Sequence, residues 1–408
     1  MSVHDDQPRV VLRQPHRSHP HRRADSDRRR LSRRGRHPPP RHRRQGPDHR
    51  GHHLGGRRDR DGGRFRKLQD RDLHHCSGAR DPGGDPAAGA PHVPSPGGPA
   101  HGGGPFQLSE RRVAIVTDST ADLPPVLAAA RSISVVPLTL HFDGKSLLDG
   151  VDITPEEFYR KLPSASTHPT TSQPSPGRFA ETYSALLEDH DAVVSIHISE
   201  KLSGTYASAR QAADMTDPKR VHVIDSEVVS MSLGLVALVA SALAAQKLDA
   251  AAIESRVLAM RPHVQTYFSV ATLEFLRRGG RIGRASALLG SVLQVKPVLC
   301  IRDGLVTPLE RVRTFDRALN RVVELTREIN TGKGVCLIVG HADAQADAER
   351  VARELEPIAD TLMIQPLGPV VGAHAGPGVV GVGCYPAELF PLGIKPALMA
   401  AAIAPRRD

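Results

Sequence analysis

The sequence from Ser109 onward predicts an α/β fold, and three observations support this prediction. Short runs of β-branched residues alternate with helical segments that begin at capping residues and prolines. Such alternation indicates a parallel sheet covered on both faces. Several strands end in Asp, Ser or Thr, at the carboxyl edge where such sheets bind ligands. A second group of elements begins near His263, so we predict domains at 109–262 and 263–392 and a tail at 393–408.

The first quarter of the chain differs in composition from the rest. Residues 1–108 hold 23 of the 54 Lys and Arg, 11 of the 44 Asp and Glu and 13 of the 21 His, a formal charge of +12, against −2 for residues 109–408. Few apolar residues and no hydrophobic period predict a disordered extension, or a misassigned start. Clustered arginines would also neutralise phosphates, so a nucleic-acid-binding arm is the alternative, although Phe65 and Phe106 are its only aromatic residues. No apolar segment typical of a secretory signal follows the basic residues.

Cysteine spacing and apolar segment length bear on the location of the protein. Cys76, Cys300, Cys336 and Cys384 are far apart and form no metal-binding or disulfide pattern. This spacing predicts a reducing cytoplasm and no metal site. The longest apolar segment, 231–245, is Ala-rich and too short to span a bilayer, so it predicts a buried helix.

The elements of the first domain follow from local patterns. Val113 to Thr117 predicts a buried strand, and the polar turn after it leads to Pro124 and Pro125, which suit a first helical turn. The other predictions here are a strand at 135–142, a helix that begins with the Thr-Pro-Glu-Glu cap at 154–157, a helix at 177–188, and strands at 193–198 and 221–226.

The second domain is predicted in the same way. Its elements are a strand at 266–271, a short helix within 273–283 that ends at glycine, strands at 294–301 and 305–313, a helix at 315–329, a strand at 335–340, a helix at 344–355 and a strand at 361–365.

The stretch 193–209 carries the clearest local signal for a ligand site. A strand runs into a polar turn with a glycine, and an Ala- and Ser-spaced helix follows from Tyr206. Free backbone N–H groups and the helix dipole favour an anion in that turn, where Ser203 and Thr205 add hydroxyl donors. Alternatively, Ser203 only caps the helix, because serine is a favoured N-cap residue.

Six motifs occur in an order that resembles the DegV family. They are Val-Thr-Asp-Ser-Thr-Ala-Asp-Leu-Pro at 116–124, Thr-Ser-Gln-Pro-Ser at 171–175, Leu-Ser-Gly-Thr-Tyr at 202–206, Ile-Asp-Ser at 224–226, Leu-Arg-Arg-Gly-Gly-Arg-Ile at 276–282 and His-Ala-Gly-Pro-Gly at 374–378. The resemblance covers about residues 109–390. The chain departs from the family in its long His/Arg-rich extension and in an arginine-rich 277–284 segment, where the family often has lysine.

The resemblance implies a two-domain α/β protein with a mixed sheet in the second domain and an internal tunnel for one fatty acid, such as palmitate or oleate. In that family the protein is not an enzyme. It presents the acyl carboxylate to a fatty acid kinase, which makes acyl-phosphate for phospholipid synthesis. By position, Thr171, Ser203 and His374 would bind the carboxylate. The pocket would be supported by Asp118, Ser119, Thr170, Ser172, Gly204, Thr205, Gly376 and Gly378. The kinase would dock on Arg277, Arg278, Arg281 and Arg284, which otherwise form a solvated helix face.

The chemistry of these residues agrees with a fatty acid ligand. Hydroxyl groups and one imidazole can hold a carboxylate, but none is a fixed positive charge, so we expect the acyl chain to supply most of the affinity. We also expect His374 to be partly protonated near about pH 6.

A serine-type hydrolase acting on a lipid ester is the enzymatic alternative, with Ser203, His374 and Asp118 as nucleophile, base and orienting acid. However, the sequence around Ser203 lacks the Gly-x-Ser-x-Gly pattern. No phosphate-binding Gly-x-x-x-x-Gly-Lys-Ser/Thr loop is present either.

Overall fold

The computed structural model describes residues 112–289 and 295–389, and within them the chain is an α/β protein, as predicted. The predictions for 1–108 and 393–408 lie outside the described residues. The division into domains at residue 262 remains a prediction.

Strands and helices are interspersed along the described chain. The strands are β1 (Val113–Asp118), β2 (Ile133–Val136), β3 (Thr139–Phe142), β4 (Lys145–Leu148), β5 (Thr170–Ser172), β6 (Ala192–His197), β7 (Val221–Asp225), β8 (Gln265–Ser269), β9 (Lys296–Arg302), β10 (Leu305–Val312), β11 (Val335–Ala342), β12 (Ala359–Pro366) and β13 (Val379–Pro386). The helices are α1 (Pro125–Ala130), α2 (Pro155–Lys161), α3 (Pro176–Asp189), α4 (Thr205–Thr216), α5 (Met231–Ala245), α6 (Ala250–Met260), α7 (Glu274–Arg278), α8 (Phe315–Glu328), α9 (Gln345–Leu355) and α10 (Pro369–Ala375).

The strands form three sheets. The first sheet is parallel, with the order β2–β1–β6–β7. The second is mixed, with the order β10–β9–β8–β13–β11–β12, and β11 and β12 are its parallel pair. A small antiparallel sheet has the order β4–β3–β5. The parallel and mixed sheets agree with the two sheet types expected from the sequence.

Helix α5 forms the centre of the core. It packs against β1 of the parallel sheet and against β11 and β13 of the mixed sheet. Every residue from Met231 to Leu243 is buried, so the predicted buried helix is confirmed. No helix in the described residues is both long and apolar enough to cross a bilayer.

Local capping follows the sequence closely in the first half of the chain. Thr154 Oγ1 accepts a hydrogen bond from the backbone N–H of Glu157 at 3.2 Å, so the predicted cap of α2 is present. Ser175 caps α3 in the same way, by accepting from the N–H of Arg178. Both helices carry proline in the first turn, where its missing N–H is not needed.

Some predictions for the elements were wrong or incomplete. The strand predicted at 135–142 is two strands in different sheets, because Pro137 lies between β2 and β3 and has no N–H to continue a ladder. Thr170 to Ser172, for which no strand was predicted, is the edge strand β5. Helix α10 and strand β13 lie within 369–386, where no element was predicted.

Candidate ligand-binding site

A mostly apolar cavity lies among the two larger sheets, the start of α5 and helix α10. Together with the open space at its mouth, its empty volume is about 780 Å³. The apolar lining residues are Leu138, Ile198, Leu202, Val229, Met231, Phe268, Leu276, Ile301, Val306, Leu367, Val370, Val371, Ala375 and Val379. The polar lining residues are Thr120, Thr171, Ser203, Ser230, Thr266, Arg281 and His374.

Thr171 and His374 meet in this lining although 203 residues separate them. Thr171 Oγ1 lies 2.7 Å from His374 Nε2. Thr171 comes from the edge strand β5, and His374 lies in the last turn of α10. When the neutral ring carries its proton on Nε2, it donates to Thr171 Oγ1, and the hydroxyl hydrogen of Thr171 is free to donate to a ligand oxygen.

Ser203 lines the cavity just before α4. Its Oγ lies 2.8 Å from Thr205 Oγ1 and accepts a hydrogen bond from the N–H of Thr205 at 3.3 Å. The N-cap residue of α4 is Gly204, and it makes no side-chain cap. Ser203 is therefore not the N-cap residue of α4, although its hydroxyl bonds to the first turn of that helix. Ser203 also lines the cavity, and binding of an anion there remains a prediction.

Arg281 lines the same cavity. The expectation that the site has no fixed positive charge is therefore wrong. Its Nε donates to the carbonyl of Leu202 at 3.0 Å, and its Nη1 donates to the carbonyl of Gly279 at 2.7 Å. A Cβ at Gly279 would collide with the imidazole of His374, so this glycine allows the arginine-bearing turn to pack on the histidine. These contacts join Arg281, Ser203 and His374 into one polar region, named here the polar end of the cavity together with Thr171.

The protonation of His374 differs from the expectation. Burial first, and then the charges of Arg281 and His168, lower the pKa of the His374 imidazole to about 4. The ring is therefore neutral at pH 6, and the expected partial protonation there is wrong.

The other predicted docking arginines lie outside the cavity lining and pair with acids. Arg277 and Arg278 both donate to the carboxylate of Glu274, and these bonds lower the pKa of Glu274 to about 2. Arg284 pairs with Asp303 at 2.9 Å. The side chains of these arginines are about half exposed. Docking of a partner there remains a prediction.

Two of the predicted supporting residues lie behind the cavity wall. Asp118 accepts from the N–H of Thr120 and from the N–H of Ile198, and both of those residues line the cavity. Ser119 Oγ accepts from the N–H of Leu138, another lining residue.

The remaining supporting residues lie outside the lining. Thr170 and Ser172 are exposed on β5, and Thr205 is buried in α4. Gly376 ends α10 with positive φ, and Gly378 donates its N–H to the carbonyl of Ala342. Their support of the pocket remains a prediction.

A buried Ser–His–Asp chain of hydrogen bonds was not predicted from the sequence. Ser195 Oγ lies 2.7 Å from His197 Nε2, and His197 Nδ1 lies 3.0 Å from Asp118 Oδ2. Tyr183 donates to Ser195 Oγ, and all four side chains are fully buried. The alternation of side chains along a strand could have placed Ser195 and His197 on one face. No cavity-lining atom belongs to this chain of bonds, so we interpret it as a structural network.

The hydrolase triad considered from the sequence is not assembled. The Asp118 carboxylate is bonded to Thr120, His197 and Ile198, whereas His374 is bonded to Thr171. Within 112–289 and 295–389 no cluster of three or more His, Cys, Asp or Glu could hold a metal ion. Cys300, Cys336 and Cys384 are free and buried.

Comparison with known proteins identifies relatives over the described part of the chain. Residues 112–387 match a family model described as "Uncharacterised protein, DegV family". A DegV domain-containing protein of Streptomyces coelicolor is 41% identical over 281 residues, which cover 67% of this chain and 98% of the relative.

Solved structures show the same fold. A DegV family protein of Thermus thermophilus, described by its fatty acid binding, has a TM-score of 0.64 and 37% identity and covers 67% of this chain and 99% of its own. A stearic-acid-binding protein of Eubacterium ventriosum has a TM-score of 0.62 and 27% identity, with coverage of 67% and 98%.

Proposed function

Because the chain belongs to the DegV family, we propose that it binds one long-chain fatty acid, such as palmitate or oleate, and presents the carboxylate to a fatty acid kinase. The observation that carries this proposal is the shape of the site: an apolar cavity whose Thr171, Ser203, Arg281 and His374 form one polar end. The solved relatives described above bind fatty acids.

The apolar lining supplies most of the affinity. Each buried methylene contributes about 0.8 kcal/mol, so the fourteen methylenes of palmitate give roughly 11 kcal/mol before the costs of association and ordering. The net affinity is then about micromolar to nanomolar. A small polar metabolite lacks this contribution and leaves the aliphatic walls in contact with water.

The polar end fixes the orientation of the ligand. Thr171 and Ser203 donate hydroxyl hydrogens to the carboxylate, and the guanidinium of Arg281 places a permanent positive charge nearby. Neutral His374 holds Thr171 in its donating geometry through the 2.7 Å hydrogen bond. The carboxylate thus sits at the polar end, and the acyl chain lies along the apolar walls.

A binding role without catalysis fits these groups better than hydrolysis. His374 is hydrogen-bonded to Thr171, and Asp118 is hydrogen-bonded to His197. Among the described contacts, Ser203 therefore has neither a histidine base nor an orienting acid. The acyl group would be activated by the kinase with ATP, and this chain would supply only the shaped site for phospholipid synthesis. A cytoplasmic location remains a prediction from the cysteine spacing, and nucleic acid is not among the proposed partners.

Kinase docking is assigned to the exposed arginines beside the polar end. Arg277 and Arg278 share the single acid Glu274, so this pair keeps a net positive charge that an acidic surface of the kinase would complement. Arg284 extends the basic surface, although Asp303 neutralises it in the free protein.

Solvent extraction of the purified protein followed by mass spectrometry tests the binding role. We expect about one fatty acid per chain. A protein that contains none, and that binds neither added palmitate nor added oleate, would refute the proposal. Turnover of a p-nitrophenyl acyl ester, lost on Ser203→Ala, would support the hydrolase instead.

A kinase assay tests presentation of the ligand. The loaded protein is mixed with a bacterial fatty acid kinase and ATP, and acyl-phosphate is trapped with hydroxylamine. Arg278→Glu should keep its fatty acid but lower acyl-phosphate formation, with the loss depending on salt. Arg317→Glu, an exposed position on α8, is the matched control. Equal rates for both variants would contradict docking on these arginines.

A further inference from the structure

Two aspartates hold the first turn of helix α10, which carries His374 and three other cavity-lining residues. Asp122 Oδ1 accepts from the N–H of Gly368 at 2.9 Å, and Asp149 Oδ1 accepts from the N–H of Val370 at 3.4 Å. A Cβ at Gly368 would lie 2.8 Å from Asp122 Oδ1 and 3.4 Å from Asp149 Oδ1. The missing side chain therefore lets both carboxylates reach the same helix terminus.

The two acids are poorly compensated by positive charge. Asp149 is 4% exposed, and Asp122 turns its oxygens inward to Ser230 and Gly368. Within the described residues, neither acid forms an ion pair with lysine or arginine. Burial, with the proximity of Asp118, raises the pKa of Asp149 to about 6. Burial and the charges of Asp149 and Asp118 raise the pKa of Asp122 as well.

The titratable groups that surround the pair do not offset the rise in the pKa of the two aspartates. Asp118, at the end of β1, adds negative charge, although His197 is bonded to it. Tyr159 of α2 donates its hydroxyl hydrogen to the carbonyl of Leu367. Burial first, and then the charges of the two aspartates and of Asp343 after β11, raise the pKa of Tyr159. His374 lies at the opposite end of α10 and is neutral at pH 6.

The pair lies directly behind the cavity wall. Asp122 Oδ2 accepts from Ser230 Oγ, and Asp149 accepts from Val370, and both Ser230 and Val370 line the cavity. The N–H of Ser230 also donates to the carbonyl of Thr120, a third lining residue. An acyl chain along this wall removes water from the lining residues to which the two carboxylates are bonded. Loss of nearby water favours the protonated form of an acid.

We propose that Asp122 and Asp149 are positioning residues for helix α10 that couple fatty acid binding to the uptake of a proton. This inference rests on the proposed binding function. Binding raises the proton affinity of the pair, and by linkage a lower pH tightens binding. For each unit by which binding raises the pKa of Asp149, the dissociation constant falls up to about tenfold between pH values well above and well below the titration.

Isothermal titration of the delipidated full chain with oleate tests this inference, at about pH 6.5, near the pKa of Asp149. Titrations in phosphate and in imidazole buffer give the number of protons taken up, because the two buffers differ in ionisation enthalpy. We expect net uptake in the parent protein and in Asp189→Asn, an exposed acid at the end of α3. Asp149→Asn should bind oleate with the uptake largely lost, and Asp122→Asn serves if that variant does not fold.

The outcomes separate this inference from the function it rests on. Oleate binding without proton uptake in the parent protein would refute the coupling and leave the binding function intact. Uptake that persists unchanged in Asp149→Asn would also refute it, because the proton would then go to His374 or to the ligand. Absence of oleate binding in the parent protein would refute the binding function and the coupling together.

Discussion

Replacement of Thr171 by alanine is the sharpest test of the polar end. The change removes the hydroxyl that lies 2.7 Å from His374 Nε2 and that is proposed to donate to the ligand carboxylate. A hydrogen bond to a charged acceptor contributes about 1.5–3 kcal/mol at a desolvated site, so the fatty acid should bind roughly 10- to 100-fold more weakly. Thr171→Ser keeps the hydroxyl and should bind within a few-fold of the parent protein.

The same change has a cost in the ligand-free protein. The His374 imidazole is largely buried and loses the described hydrogen bond at Nε2, which lowers the free energy of unfolding by about 1 kcal/mol. Fluorescent fatty acid displacement measures the affinity, and thermal melts of the delipidated protein measure the stability. Thr182→Ala is the matched control, because the Thr182 hydroxyl bonds only to the Arg178 carbonyl of its own helix among the described contacts.

Two results would contradict this reasoning. If Thr171→Ala bound oleate as tightly as the parent protein, the hydroxyl would be a structural partner of His374 and the carboxylate would lie elsewhere. If the serine variant were as weak as the alanine variant, the loss would come from packing of the threonine methyl.

Ser203→Ala should also weaken binding, and the double variant should lose less than the sum of the singles, because both hydroxyls hold one carboxylate.

Further expectations concern charge, pH and the first quarter of the chain. Arg281→Gln should lower the fatty acid content of the purified protein, whereas Arg284→Gln, outside the cavity lining, should not; equal content would place the Arg281 charge outside the site. The pKa of Asp149, raised from 3.8 to about 6 in the folded protein, contributes about 3 kcal/mol of stability that is present at low pH and lost as pH rises through 6. Because the lowered pKa of His374 acts in the opposite direction, the melts of the parent and Asp149→Asn should be compared as a difference, which should favour the variant increasingly from about pH 4 to about pH 6 and then level off. A chain that begins at Ser109 should keep its melting temperature and its fatty acid, and a large loss of either would contradict the interpretation of residues 1–108.

The sequence by itself determined the class of the fold and most of its elements. Strand β1, the cap at Thr154 and the apolar segment of α5 are local features, fixed by β-branched residues, by a capping hydroxyl and by the lack of any polar face. The ordered motifs also indicated Thr171, Ser203 and His374. Short elements without a strong period, such as β5 and α10, were not predicted, since sheet pairing and burial decide their conformation.

Only the tertiary structure decided which polar groups share the cavity. Arg281 belongs to a segment rich in arginine and glycine whose pattern suits a solvated face, yet its bonds to the carbonyls of Leu202 and Gly279 turn it inward. The protonation of His374 was predicted wrongly from the sequence, because burial and the neighbouring guanidinium of Arg281 lower its pKa and neither is a property of nearby sequence. Asp122 and Asp149 lie more than 200 residues from Gly368 and Val370 in the chain. Long-range contacts of this kind depend on how the sheets pack around α5, which no local pattern encodes.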